Sequence, residues 1–323
     1  MRSEILGRKA IRLIDRVTDQ MIQIALVAVL FFGVYSLWDT RQVYDAADAA
    51  NYTAYKPTTE DTVSFEELQR KNSEVVAWLT VNDTPIDYPM TQASNNNKYI
   101  NTNAEGQYTL SGAIFLDYRN RPDFEDFNTV VYGHHMEEKK MFGPLSDFAD
   151  RVYFDTHPYG GLFYQGRDHG LEFFALILTD AYDDKLFTPA QNEPAERTAL
   201  LDYIRSTALY MRDIPVSEED RIILLSTCTS DITNGRYMLV GKITDELHPQ
   251  IVRKPKPVVR FGNGIEKQIG RFTSLPVGVW IALFLLLIAA AVWADRACTR
   301  YRRAGKNTNH TEAGAGAPPV TRS

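Results

Sequence analysis

Hydrophobic residues form two long uninterrupted runs toward the ends of the chain and shorter runs between them. The long runs are residues 21–38, MIQIALVAVLFFGVYSLW, and residues 275–294, LPVGVWIALFLLLIAAAVWA. Each approaches the roughly 20 apolar residues that a helix needs to cross a bilayer. Aromatic residues lie near an end of each run and basic residues beyond it, as is typical of transmembrane helices. The pattern therefore predicts two membrane spans.

The first run has an alternative interpretation as the apolar core of a cleaved signal peptide. Residues 47–49, Ala-Asp-Ala, resemble a cleavage site. The run is longer than the roughly 7–15 apolar residues of a signal peptide, which favours a retained anchor.

Basic residues beside the first run orient the chain in the membrane. Five of them precede the run, whereas Arg41 alone stands among the three aspartates that follow it. Because cytoplasmic flanks are enriched in Lys and Arg, the tail 1–20 is predicted to be cytoplasmic. The second run has basic residues on both sides, so the first run decides the topology. The residues between the runs are then extracytoplasmic, and the tail 295–323 is cytoplasmic.

The shorter apolar runs have the length of strands and are separated by polar turn segments. They lie at residues 74–81, 86–90, 110–118, 129–132, 171–179, 222–225 and 237–243. Helical spacing occurs at residues 194–210, and a capping box at residues 64–67 predicts a short helix to about Asn72. The sequence thus predicts a mainly β fold with a few helices.

The same pattern divides the chain into segments. They are the tail 1–20, the span 21–38, a polar stalk 39–63, a folded domain 64–247, a Pro-rich basic linker 248–274, the span 275–294 and the tail 295–323. The folded domain is long enough to bury a full core.

Composition restricts the chemistry of the folded domain. The chain of 323 residues is 44% hydrophobic and carries a net charge of −6, with no basic block in the domain, so a nucleic-acid partner is not expected. The two cysteines, Cys228 and Cys298, fall on opposite sides of the membrane in the predicted topology, which leaves Cys228 as a lone thiol. Residues 134–138, HHMEE, lack the spacing of a zinc motif, and no glycine-rich phosphate loop occurs. No metal or cofactor is therefore predicted.

The lone thiol lies in a predicted hairpin. An apolar strand, 222–225, leads to Cys228, and a turn with Asn234-Gly235 precedes the next strand. Antiparallel pairing then brings Cys228 opposite Arg236, eight residues later. A neighbouring cation or base favours the reactive thiolate, although a free cysteine is also commonly a buried structural residue.

A base candidate follows another apolar strand. Residues 129–132 lead into Gly133 and His134, so this imidazole also lies at a strand end. His135 is adjacent and competes for the role. A thiol, an imidazole and a guanidinium are thus each predicted at a strand end, and a thiol beside a base can act as a nucleophile.

These motifs together resemble the active site of sortases, the cysteine transpeptidases of Gram-positive surfaces. They are LSTC at 225–228 with Arg236 eight residues on, and YGH at 132–134. LSGAIFLDYRN at 110–120 and GHHMEEKKMFGPLSDF at 133–148 resemble the class B branch. The resemblance covers residues 64–247 and implies a closed β-barrel of about eight strands, with a helical insertion between the strands at 171–179 and 222–225.

The resemblance also implies a role for each candidate residue. Cys228 is the nucleophile, His134 the acid and base because it directly follows glycine, and Arg236 the oxyanion donor. Thr227 and Tyr182 are implied to support the oxyanion or the substrate. The enzyme would be a membrane-anchored thiol endopeptidase and transpeptidase without a cofactor. It would cleave a C-terminal sorting motif of secreted proteins and transfer them to a peptidoglycan precursor or a pilin lysine.

Two alternatives stay open at this point. The domain could be a non-catalytic, membrane-tethered β-domain that binds surface proteins, or a cysteine hydrolase that uses water as the acceptor.

The second predicted span departs from the class B pattern, because class B enzymes usually have an N-terminal anchor alone. In this respect the chain is similar to the pilus-building class C enzymes, which often carry a C-terminal span.

Overall fold

The structure, a computed structural model, describes residues 2–57, 63–228, 234–248, 282, 284–289 and 293. They belong to two compact units, one of Met1–Arg41 with Val259–Ser323 and one of Gln42–Val258. The predicted linker beyond residue 248, the tail 295–323 and most of the second span lie outside the described residues.

The first unit contains the predicted N-terminal span. Helix α1, Arg2–Ala46, includes the run 21–38 and exposes its large apolar side chains, among them Leu26 and Phe32. By length and composition, it is the one helix among the described residues that is suited to cross a membrane. In the second run, residues 282, 284–289 and 293 are helical, and the Phe284 ring lies 4.5 Å from that of Phe31. The topology of two spans stays a prediction.

The described residues of the second unit form nine strands. They are β1 Val75–Val81, β2 Asp87–Thr91, β3 Ile114–Leu116, β4 Asn128–Tyr132, β5 Tyr159–Tyr164, β6 Arg167–Asp180, β7 Ala208–Met211, β8 Arg221–Cys228 and β9 Gly235–Thr244. Eight of them are hydrogen-bonded in the order β5-β1-β2-β3-β4-β8-β9-β6, and β6 pairs again with β5. The sheet therefore closes, which confirms the predicted eight-stranded barrel. Strand β7 adds to the second half of β6.

Short helices precede the first strand or connect the strands. They are α2 Val63–Lys71, α3 Arg151–Thr156, α4 Asp184–Phe187 and α5 Pro194–Thr207, with 3₁₀ segments at Ala49–Tyr55, Lys98–Ile100 and Gly143–Ala149. Helices α4 and α5 lie between β6 and β8, where the helical insertion was predicted. We call residues 181–216 the insertion.

Strand β8 is apolar on both faces, and both of its faces are covered. Leu225 and Val131 belong to the core inside the barrel. Ile222 and Leu224 belong to a second core outside it, which they share with residues of the insertion, including Leu200 and Ile204. This double burial explains why residues 222–225, IILL, read as a continuous apolar run rather than an alternating one.

The parallel pairing of β4 with β8 brings their carboxyl ends together. Tyr132 is the register partner of Ser226, and the ladder extends back to Asn128 and Ile222. Strand β9 runs antiparallel to β8 and begins at the same end of the barrel. Residues that follow β4 and residues at the end of β8 therefore share one edge of the fold.

The structure differs from the sequence prediction at a strand that contains glycines and at the end of a predicted helix. Residues 160–170 were not among the predicted strands, yet Gly160 and Gly161 lie within β5. A Cβ at Gly160 would lie 2.6 Å from the Thr80 carbonyl oxygen, so glycine there permits a close approach of β1 and β5 rather than a turn. The helix predicted over 194–210 ends at Thr207, since Ala208 is extended and begins β7.

The segment predicted as a polar stalk, 39–63, packs in part against the domain. Ala47 and Tyr52 are buried in the main core. The Tyr88 hydroxyl donates a hydrogen bond to the Ala47 carbonyl at 2.9 Å. Residues 47–55 are thus a packed element of the second unit rather than a free spacer.

The doubly covered strand β8 yields a stability prediction. Leu225→Ala removes a side chain with no exposed surface and should lower the free energy of unfolding by about 2–5 kcal/mol. Leu209→Ala is the control, because Leu209 is 47% exposed and its loss should cost less than about 0.5 kcal/mol. Chemical unfolding of the full chain in detergent micelles measures both. Equal losses in the two variants would contradict the described packing of β8.

Candidate active site

Two hydrogen bonds hold the ends of β4 and β8 together beyond the regular ladder. The Gly133 amide donates to the Ser226 carbonyl at 3.2 Å. The Thr227 hydroxyl donates to the Gly133 carbonyl at 3.0 Å. A Cβ at position 133 would lie 2.6 Å from Ile114 Cδ1 and 2.7 Å from Phe142 Cδ2, so close packing favours glycine here. The residue after Gly133 is therefore held in a fixed position relative to β8.

That residue is His134, and its ring is oriented by a backbone carbonyl. His134 Nε2 lies 2.9 Å from the Ile100 carbonyl oxygen. Because a carbonyl only accepts, Nε2 must carry the proton in this contact, which leaves Nδ1 with the lone pair in the neutral imidazole. The His134 carbonyl in turn accepts from the Phe142 amide at 3.0 Å. The competing His135 is exposed and forms a β-bridge with Met141.

Cys228 and Arg236 are register partners across the β8–β9 ladder. The structure describes Cys228 by its backbone, as the last residue of β8. Directly opposed residues of an antiparallel pair share one face of the sheet. Arg236 is half-buried, and its Nη1 donates to the Gly235 carbonyl at 3.0 Å. The register thus brings the predicted thiol and guanidinium positions together, as the hairpin pattern indicated.

A cavity of about 300 Å³ opens at this edge of the barrel. Its lining residues are Asn96, Asn97, Ile100, Phe115, Tyr132, Ala181, Phe187 and Arg236. Arg236 forms part of one wall, and Ile100, whose carbonyl binds His134, forms part of another. The cavity therefore adjoins both the guanidinium and the backbone group that orients the imidazole.

A buried carboxylate lies behind the cavity. Asp117 has no exposed surface and accepts hydrogen bonds from Arg119, Asn96 and Tyr132. Burial alone would raise the pKa of the Asp117 carboxyl, but these hydrogen bonds to its charged form lower that pKa below its usual value. Burial and the charge of Asp117 raise the pKa of Tyr132, so its hydroxyl stays protonated at neutral pH. This network was not recognised as part of the site from the sequence.

The two residues predicted to support the oxyanion or substrate have different surroundings. Thr227 is buried and its hydroxyl is used in the hydrogen bond to Gly133. Tyr182 is 78% exposed and is not among the lining residues of the cavity. Its backbone amide donates to Asp180 Oδ1 at 2.8 Å. A role in binding for either residue stays a prediction.

Most lining residues of the cavity were missed because their signal in the sequence is weak. Asn96 and Asn97 lie in a polar stretch that reads only as a loop. Phe187 lies in the segment 180–191, whose sequence has no pattern that would select a residue. Tyr132 was recognised only as the strand residue that precedes Gly133.

Another cluster of polar side chains lies at the opposite end of β6 and β9. Single ligand atoms of Glu172, Glu246 and His248 lie within 4.8 Å of one another. Gly170 pairs with Thr244 at that end, whereas Thr179 pairs with Arg236 at the cavity. The cluster is therefore remote from the candidate active site. The expectation that no metal takes part in the chemistry stays a prediction.

Comparisons with known proteins agree with this architecture. No family model matches the chain. The chain is 35% identical to sortase B of Listeria monocytogenes over 184 residues, which are 55% of this chain and 73% of that protein.

Two solved structures cover a similar part of the chain. The crystal structure of sortase B from the type II pilus of Streptococcus pneumoniae is 47% identical, with a TM-score of 0.50, and covers 56% of this chain and 99% of its own. A class B sortase from Streptococcus pyogenes that is involved in pilus biogenesis is 39% identical, with a TM-score of 0.51, and covers 56% of this chain and 98% of its own. The closed barrel and these similarities together show that the chain belongs to the sortase family of cysteine transpeptidases, in its class B branch.

Proposed function

We propose that the protein is a membrane-anchored transpeptidase that cleaves a C-terminal sorting motif of secreted proteins and joins them to an amine. The observation that carries this proposal is the register pairing of Cys228 with Arg236 at the end of β8. The same strand end is hydrogen-bonded to Gly133, the residue before His134. The location of Cys228, Arg236 and His134 at one edge of the fold supports the proposal.

In the first half-reaction, the Cys228 thiolate attacks the carbonyl carbon of a threonine in the sorting motif. Arg236 donates hydrogen bonds to the tetrahedral oxyanion, a role suited to a guanidinium because it stays charged and offers several directed donors. The C–N bond breaks, and His134 as imidazolium gives a proton to the leaving amine. A thioester between Cys228 and the substrate remains.

In the second half-reaction, an incoming amine attacks the thioester carbonyl. Neutral His134 accepts a proton from that amine, a new amide bond forms, and Cys228 leaves as the thiolate. The contact of His134 Nε2 with the Ile100 carbonyl supports this use of the ring. It satisfies the Nε2–H in both protonation states, so Nδ1 is the nitrogen that gains and loses the proton.

The acceptor is an amine of the cell surface, either in a peptidoglycan cross-bridge or on a pilin lysine. Two structural relatives, at 47% and 39% identity, are pilus sortases, which favours the pilin lysine. Helix α1 supports a membrane anchor by its length and apolar character, with the catalytic domain outside the cell. A second span at 275–294 would hold the domain near substrates that are themselves attached to the membrane.

A product analysis distinguishes a transpeptidase from a hydrolase. The full chain in detergent micelles is incubated with a panel of internally quenched peptides that share one threonine and differ at the residues before it. Added amines are a glycine peptide, with its N-terminal amine, and a lysine peptide with a blocked N-terminus. We expect mass spectrometry to find a new amide on the threonine carbonyl, formed in preference with the lysine side chain.

Cys228→Ala is the matched control for this experiment and should lower product formation at least about 1000-fold. Cleavage that yields only the free acid, whichever amine is added, would replace the transpeptidase by a hydrolase. Turnover that survives Cys228→Ala would remove the enzyme assignment of this site.

Arg236→Lys tests the oxyanion role by itself. The lysine keeps the charge but not the planar set of donors, so kcat should fall about 100- to 1000-fold while KM changes little. Steady-state kinetics on the best peptide of the panel measures both constants. A large rise in KM with an unchanged kcat would assign Arg236 to substrate binding instead.

A further inference from the structure

One buried carboxylate is hydrogen-bonded to two walls of the cavity. Asp117 directly follows β3 and is fully buried. Its Oδ2 accepts from Asn96 Nδ2 and from the Tyr132 hydroxyl, each at 3.0 Å. Asn96 and Tyr132 both line the cavity, and they lie on different chain segments. Asp117 therefore fixes the distance between a loop and the strand that leads to His134.

Arg119 extends this network to the insertion. Its Nε and Nη2 donate to the two carboxylate oxygens of Asp117 at 2.9 and 2.8 Å, which is a bidentate pair. The same Nη2 donates to the Phe187 carbonyl at 2.8 Å. Phe187 ends α4, and its ring is stacked on that of Tyr132 with centroids 6.2 Å apart and planes at 9°. The Asp117–Arg119 pair thus connects Phe187, on a third wall of the cavity, to Tyr132, on the second.

We propose that the Asp117–Arg119 pair is a positioning device that fixes the part of the peptide groove lined by Tyr132 and Phe187. This inference rests on the proposed function, since the occupant of the groove is the extended sorting peptide. Asp117, Arg119, Tyr132 and Phe187 form the Asp117 brace. The brace acts on the substrate through the cavity walls, so its members are positioning residues for the reaction of Cys228.

The geometry of the pair requires an arginine. A guanidinium is a planar fork that meets both oxygens of one carboxylate and still has a further N–H for the Phe187 carbonyl. A lysine at position 119 has a single nitrogen and cannot make these contacts together. Because Asp117 is buried and charged, it also needs a cation beside it to offset its desolvation. Arg119→Lys therefore keeps the charge and removes the connection to the insertion.

The insertion has a second attachment that does not involve the brace. Asn128 Nδ2 donates to the Thr188 carbonyl at 2.9 Å, and the Ala190 amide donates to the Asn128 carbonyl at 2.9 Å. These contacts tie the insertion to the start of β4, at the other end of that strand from His134. Loss of the Arg119 contact should therefore free the groove wall without detaching the insertion.

The test compares Arg119→Lys with Arg121→Lys in the full chain in detergent micelles. Arg121 is the matched control, because its side chain is exposed and pairs with Asp123, outside the cavity. For the best peptide of the quenched panel, Arg119→Lys should raise KM roughly five- to tenfold and leave kcat within about twofold, since one set of positioning contacts is lost. Arg121→Lys should leave both constants unchanged.

Amide hydrogen exchange gives a readout that does not depend on activity. Arg119→Lys should increase exchange in residues 181–191 and leave the amides of β8 and β9 protected. Tyr132→Phe, which keeps the ring and removes the hydroxyl donor to Asp117, should raise KM in the same direction by a smaller factor.

The outcomes separate this inference from the proposed function. If no peptide is turned over by the wild type, the proposed function fails, and exchange alone decides whether the pair holds the wall. If exchange in 181–191 is unchanged in Arg119→Lys, the brace is overturned whatever the kinetics. A fall in kcat with an unchanged KM would also overturn it, because the pair would then act on the chemistry rather than on the groove.

Discussion

The parallel pairing of β4 with β8 is the constraint on which the candidate active site depends. Two parallel strands end on the same side of a sheet, so residues distant in sequence meet without a local motif. Here the pairing of Tyr132 with Ser226 sets the positions of His134 and Cys228, and the adjacent β9 supplies Arg236. The Thr227 hydroxyl on the Gly133 carbonyl fastens the two strand ends beyond the regular ladder.

The insertion between β6 and β8 has two consequences for this site. Its helices cover the outer face of the barrel, so β8 is buried on both sides and cannot shift its register without exposing apolar residues. The insertion also supplies Phe187 and Ala181 to the cavity. The insertion thus contributes to stability and to the groove. Arg119 connects the insertion to Asp117 because its Nη2 also donates to the Phe187 carbonyl.

The strands of the barrel, and the positions of Cys228, His134 and Arg236 at or beside strand ends, could be predicted from the sequence because the strands have clear apolar patterns. The Asn234-Gly235 turn marks the hairpin, and the apolar run 129–132 leads to His134. The groove could not be predicted, since its walls depend on contacts across the fold, such as Asp117 with Asn96 and Tyr132. Strand β5 was not predicted for a related reason. Its Gly160 permits a close approach of β1, and no local sequence pattern indicates that contact.

Detection of the acyl-enzyme tests the account most directly. The full chain is incubated with the best peptide in the absence of an added amine, quenched in acid, and analysed by intact-mass and peptide-mapping mass spectrometry. The account predicts a mass gain equal to the N-terminal peptide fragment, located on Cys228 and released by hydroxylamine, as expected for a thioester. An adduct on another residue, or one that persists in Cys228→Ala, would contradict the convergence of β4, β8 and β9 on one reactive thiol.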